Sequence, residues 1–170
     1  MGKIFVTSDT HFNHKNIIEY CNRPFSSVEE MNEALIKNWN SVVSEDDTVF
    51  FLGDFCLGNK DEVIKFGTQL KGNKILVMGN HDRVTASAFT EAGFKTIYKK
   101  PTIIRFDEFD ISIEFSHAPQ YHEGYQYPNI YGHVHDKTVN DAKHYCACVE
   151  ANNYKPVLLE DIIKYFKEQE

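Results

Sequence analysis

Apolar residues fall along this chain in two alternating rhythms. KIFVT (3–7), TVFFLG (48–53) and KILVMG (74–79) are short, nearly continuous apolar runs, with the length and the β-branched or aromatic content of strands buried on both faces. Between them the spacing becomes helical. KNIIEYC reads as a short helical stretch, and Ser27 opens an S-x-x-E capping box with Glu30 ahead of a helix to about residue 44. Val28, Met31, Leu35, Trp39 and Val42 recur at helical spacing and form its buried face, which assigns Trp39 to the core. DEVIKFGTQL continues the alternation as a helix after the second strand.

This strand–helix–strand–helix–strand order predicts a largely parallel sheet covered by helices. KTIYKK, TIIRF, ISIEFS, NIYGH, HYCACVE and KPVLLE then follow as short strands joined by polar turns, which predicts a more antiparallel last third, closed by the helix EDIIKYFKEQ. No repeat, low-complexity run or linker divides the chain. Residues 1–170 are therefore expected to form one α/β domain with two sheets packed together.

Composition narrows the class of protein. A hydrophobic fraction of 42% and an aromatic fraction of 14% suit an ordinary soluble globule. No run approaches the ~20 apolar residues of a membrane span, and MGKIFVTSDTHF does not resemble a signal peptide, so a cytoplasmic protein is expected. The net charge of −7 argues against sequence-independent binding to a nucleic-acid backbone. Four cysteines make no disulfide framework in a chain of this length, and Cys146 with Cys148 reads as two residues on one side of a strand.

Candidate chemistry lies where the apolar runs stop. Asp9 and His11 (SDTH) follow the first strand, Asp54 (LGDF) the second, and Asn80, His81 and Asp82 (GNHD) the third. His117 follows ISIEFS, and His133 with His135 (YGHVH) follows NIY. Ligands of open α/β sheets bind at the carboxyl ends of strands, so these clusters are expected to converge. Imidazole with carboxylate is a ligand set for Zn, Mn, Fe or Ni rather than Mg or Ca. D-x-H and H-x-H would place two ligands on one side of an extended chain. Asp9, His11, Asp54, Asn80, His117, His133 and His135 are too many for one ion and suit two ions about 3.5–4 Å apart, with Asp54 as the natural bridge.

D-x-H, G-D, G-N-H-D, H and G-H-x-H, in that order over residues 9–135, resemble the calcineurin-like metallophosphoesterase superfamily. SDTHFNHKNII, NRPF and NYKPVLLEDI resemble a small bacterial or phage-type branch of it. The resemblance implies a four-layer sandwich, two packed mixed β-sheets flanked by helices, with the site at the strand ends. It further implies that Asp9, His11 and His135 hold one metal and Asn80, His117 and His133 the other, with Asp54 bridging. Phe55 and Cys56 depart from the small residues common after that aspartate, and Cys56 is read as a buried, inert thiol.

Two divalent ions, Mn before Fe, Zn, Ni or Mg, would turn a shared water into a hydroxide nucleophile. A proton donor must then meet the departing oxygen. If Asn80 turns to a metal, His81 points over the open cleft as general acid, and Asp82 orients His81, caps the helix that follows, or does both. His14 is expected to touch substrate or cap a helix, Arg23 to clamp a phosphate or lie exposed beside Pro24, and His122 to stack on substrate or cover the cleft. The expected reaction is hydrolysis of phosphate esters, nucleotides included, and diesters before monoesters, because no basic cluster adjoins the motifs. A nuclease or a non-catalytic metal-binding scaffold is the alternative. The sequence leaves the oligomeric state open.

Overall fold

A computed structural model describes residues 2–121, 124 and 126–169. The first sheet contains β1 (Ile4–Thr7), β2 (Thr48–Phe51), β3 (Asn73–Val77), β4 (Phe94–Tyr98) and β9 (Val157–Leu158), in the order β4-β3-β2-β1-β9. β1 to β4 are parallel, and only β9 runs antiparallel, against β1. The helices α1 (Lys15–Tyr20), α2 (Val28–Val42), α3 (Lys60–Gly67) and α4 (Ala86–Glu91) connect these strands. The second sheet has the order β5-β6-β7-β8, from Thr102–Phe106, Ile111–Ser116, Asn129–Tyr131 and His144–Cys146. α5 (Leu159–Glu168) closes the chain.

Strand alternation divides the core in two. One face of the first sheet sends Phe5, Val49, Phe51 and Leu76 toward Met31, Leu35 and Trp39 of α2. The other face sends Val6, Phe50 and Val77 toward Ile113, Phe115 and Ile130 of the second sheet and Ile162 and Phe166 of α5. Phe50 and Phe115 stack with ring centroids 4.4 Å apart, joining the two sheets. The α2 cap forms as expected, Ser27 accepting from the Glu30 N–H, and the Trp39 indole donates to the Lys71 carbonyl inside the core.

Two expectations change. KTIYKK, extended to Phe94, belongs to the first sheet as β4, delivered there by α4, a short helix without a strong sequence pattern. The second sheet is also less antiparallel than its short strands suggested: β5 pairs antiparallel with β6, but β6, β7 and β8 are parallel. Parallel strands require a crossover of about a dozen residues, and the segments 117–128 and 132–143 supply that length, with no helix among their described residues. The consequence is directional. The carboxyl ends of β6 and β7 lie at one edge, so the residues after them meet instead of alternating between opposite ends.

Candidate metal centre

The loop after β1 lies alongside the loop after β2. Asp9 N–H donates to the Gly53 carbonyl at 3.0 Å, His11 N–H to Asp54 at 3.1 Å and Phe12 N–H to Phe55 at 2.9 Å. Gly53 permits this approach, because its φ is +94° and a Cβ there would lie 2.5 Å from the Gly79 nitrogen. The loop after β7 joins them through the His133 N–H, which donates to Asp9 Oδ2 at 2.8 Å. Asp9, His11, Asp54, His133 and His135 all have positive φ, between 48° and 74°. Left-handed backbone costs a non-glycine residue of order 1 kcal/mol, and such residues collect at functional sites. The D-x-H and H-x-H pairs therefore do not face one side along extended backbone; left-handed turns aim them.

Two groups of ligand atoms, each within 4.8 Å, take in the motif residues: Asp9 with His11 and His135, and Asp54 with His117 and His133; Cys21, His135 and Glu150 form a third such group behind the first. Asp9 uses Oδ2 for protein contacts, accepting from Ser8 Oγ, the His133 N–H and, at 3.4 Å, the Cys148 thiol. Its Oδ1 is buried without a partner, 3.7 Å from His11 Nε2 and 3.8 Å from His135 Nε2. Asp54 divides in the same way. Oδ1 accepts the His81 N–H at 2.8 Å, while Oδ2 stands 3.5 Å from His11 Nε2 and 3.4 Å from His117 Nε2. Asn80 Oδ1 lies 2.9 Å from His117 Nε2 and joins the second group.

The electrostatics fit a cation. Burial pushes the Asp9 carboxyl up, but the neighbouring His11 ring and the charges of His117 and His135 prevail and hold it far down. Burial pulls His117 down, yet its contact with Asp54 and the charges of Asp9 and Asp54 raise it to about 9. Without an ion, a proton on His117 therefore balances the carboxylates. Buried, unpartnered Asp9 Oδ1 and His11 Nε2 are the atoms a metal would satisfy.

Several supporting residues fall outside the sequence motifs. His117 Nδ1 donates to the Leu52 carbonyl at 2.7 Å, and His135 Nδ1 to Glu150 Oε1 at 3.0 Å, which turns each Nε2 toward the ligand groups. Glu150 lies in a 3₁₀ turn after β8, where no signal in the sequence marks it. Arg23 is neither a phosphate clamp nor exposed. It is 4% exposed, pairs with Glu150 at 2.6 Å and donates to the carbonyls of Asp9 at 2.7 Å and Thr10 at 2.8 Å.

Asp82 takes neither of its expected tasks. Its carboxylate accepts the N–H groups of Asp54 at 2.8 Å, Phe55 at 2.9 Å and Gly79 at 2.8 Å, clamping the second loop to the third. α4 begins later, with Thr85 at its N-cap. The GNHD backbone turns at Asn80 and His81, so extended alternation does not separate these side chains. His81 is half-buried, its ring edge-on to His11 at 5.5 Å. His14 stands at the N-cap of α1 without a side-chain cap bond; its Nδ1 lies 3.3 Å from His11 Nδ1. Burial first, then the His11 and His81 charges, lowers His14 to about 4. Burial pushes the Cys56 thiol up to about 12, the inert state expected of it. His122 lies outside the described residues.

Comparison with known proteins places this geometry. The chain is 39% identical over 173 residues to the uncharacterized protein MJ1445 of Methanocaldococcus jannaschii, covering 96% of this chain and 91% of that one. It is 41% identical over 85 residues to the gene 66 protein of Mycobacterium phage L5, covering 48% of this chain and 41% of that protein. Among solved structures it resembles the protein of unknown function AQ665 from Aquifex aeolicus, with a TM-score of 0.76 and 30% identity over 97% of this chain and all of that one. The Pseudomonas putida nuclease MPE shares the fold at a TM-score of 0.51 and 20% identity, over 78% of this chain and 61% of that one. The family model for calcineurin-like phosphoesterases matches residues 2–162, and to that family this chain belongs.

Proposed function

We propose that the protein hydrolyses phosphodiesters on two divalent ions, one held by Asp9, His11 and His135, the other by Asn80, His117 and His133, with Asp54 shared. Membership of the phosphoesterase family supports metal-dependent hydrolysis of phosphate esters in general. One carboxylate oxygen carries the finer reading: Asp54 Oδ2, 3.5 Å from one group's imidazole nitrogen and 3.4 Å from the other's. Ligand atoms bonded to one ion at ~2.0–2.2 Å stand about 3–3.5 Å apart, so only small shifts separate this arrangement from a loaded one. Mixed imidazole and carboxylate donors favour Mn, Fe, Zn or Ni, and Mn is the proposed metal.

Bound there, the ions supply an acidic water and positive charge opposite the phosphoryl oxygens. The chain's own groups do the rest. Leu52 and Glu150 hold the His117 and His135 rings by Nδ1, so neither ring must reorganise as substrate binds. His81 is the proposed general acid, its backbone fixed by Asp54 and its ring beside His11, where it can give a proton to the departing oxygen. Arg23 is committed to Glu150 and two backbone carbonyls, which leaves that guanidinium unable to meet the second charge of a monoester. Arg23 is thereby removed as a monoester clamp, and diesters are the proposed class.

The test pairs metal content with substrate choice. Mn-loaded protein is expected to contain two metals per chain and to cleave bis-p-nitrophenyl phosphate faster than p-nitrophenyl phosphate. Faster monoester cleavage would overturn the diester preference. Asp54→Asn is expected to lose at least one metal per chain; two metals retained by elemental analysis would refute the shared carboxylate.

A further inference from the structure

An open cavity of about 380 Å³ adjoins the second ligand group, within the ~300–1,000 Å³ range of small-molecule pockets. Asn80, His117 and His133 are among its lining residues. Val77, Met78, Pro101 and Ala118 make much of the remaining lining apolar, and Lys99 and Lys100, both exposed, also line it. These lysines occupy the turn between β4 and β5, so two sheet strands fix the turn that carries them. Neither has an ion-pair partner among the described residues. In a chain of net charge −7, these two adjacent lysines put positive charge beside a largely apolar cavity, where an anionic group of a ligand would meet it.

The cavity and the proton donor lie on different sides of the centre. His81 does not line the cavity; its ring lies against His11 of the first group. A leaving group protonated by His81 departs on that side, and the cavity faces what remains. We infer that the cavity holds the arm of the phosphodiester that stays esterified, an apolar or planar group such as a nucleoside, and that Lys99 and Lys100 bind a further phosphate on that arm. The inference rests on the two-metal hydrolase reading and assigns its substrate class: a nucleotidyl diester bearing a second phosphate beyond the scissile one. The product is then a bisphosphate monoester, with water supplying the oxygen gained by phosphorus and the proton reaching the departing alcohol.

Thymidine 5′-(p-nitrophenyl phosphate), with and without a 3′-phosphate, isolates the added charge. The 3′-phosphorylated ester is expected to have a kcat/KM about tenfold higher, the scale of one or two charge-assisted contacts at an exposed site. The double substitution Lys99→Ser, Lys100→Ser is expected to bring the ratio toward one, whereas Lys164→Ser, Lys167→Ser on α5, an equal change of charge outside the cavity, keeps it. Equal kcat/KM for the two esters, or a ratio surviving the double substitution, overturns the inference while leaving the hydrolase reading in place. If the Mn-loaded protein cleaves neither ester, the hydrolase reading fails. Calorimetric binding of thymidine 3′,5′-bisphosphate against thymidine 5′-phosphate then decides the cavity by itself. Tighter bisphosphate binding that depends on Lys99 and Lys100 supports it, and equal affinity overturns it.

Discussion

At the scale of single residues, His81 and Asp82 are neighbours in sequence with separate tasks. His81 presents its ring to the site beside His11, whereas Asp82 turns inward and accepts three backbone N–H groups from two loops. Their substitutions should therefore separate. His81→Asn is expected to keep metal content and lower turnover of a poor-leaving-group diester by roughly 10²–10⁴-fold, with a smaller loss on a p-nitrophenyl ester. Equal losses on both esters would refute the acid role. Asp82→Asn puts an amide N–H against backbone donors and is expected to cost roughly 2–3 kcal/mol in urea unfolding. It should also lower metal occupancy, because Asp54 moves with its loop. A variant of unchanged stability that loses only turnover would return Asp82 to the role of orienting His81. GNHD was legible as a site in the sequence, but its division of labour was not. Adjacent residues separate according to the local turn, and that turn is anchored to Asp54 and Phe55, 27 or 28 positions away, as well as to Gly79 beside it.

At the scale of elements, Arg23 shows how loops of unrelated sequence position are held in strained backbone. It lies between α1 and α2, yet its guanidinium joins the carbonyls of Asp9 and Thr10 to Glu150 after β8. Arg23→Met removes the cation from a buried carboxylate and is expected to cost about 3–5 kcal/mol in denaturant unfolding. Arg23→Met, Glu150→Gln is expected to recover part of that loss, which a double-mutant cycle would measure. Helix α2 and strands β1, β2 and β3 were readable because apolar period and capping are local properties. Strands β7 and β8 were found, but not their direction. Three-residue strands carry no mark of parallel or antiparallel pairing, which the crossovers decide.

At the scale of the molecule, the parallel edges of both sheets direct Asp9, Asp54, His117, His133 and His135 to one place, where buried carboxylates need compensating charge. In the metal-free protein His117 supplies it. Its raised value, about 9 against 6.5, means that the protonated ring stabilises the fold fully below pH 6.5 and ceases to do so as pH rises through 9. A metal must displace that proton. Uptake of Mn at pH 7.5 is expected to release protons, seen by calorimetry in two buffers of different ionisation enthalpy. The rise in Tm on loading is expected to be greater at pH 8.5 than at pH 6. Uptake without proton release would contradict protonation of His117.

The sequence by itself determined the α/β layering, the strand ends at which polar residues collect and the seven residues that meet there. Hydrophobic periodicity and residue type are properties of short segments, and chain order fixes which segment each residue follows. Tertiary structure alone decided how those residues are aimed and held. Left-handed backbone at Asp9, Asp54 and His133, the Asp82 clamp, the Glu150–Arg23 support and the cavity between His117 and Lys99 all depend on contacts between distant segments. Such contacts form only when parallel β6, β7 and β8 are packed against the first sheet, and no local pattern of apolar and polar residues encodes that packing.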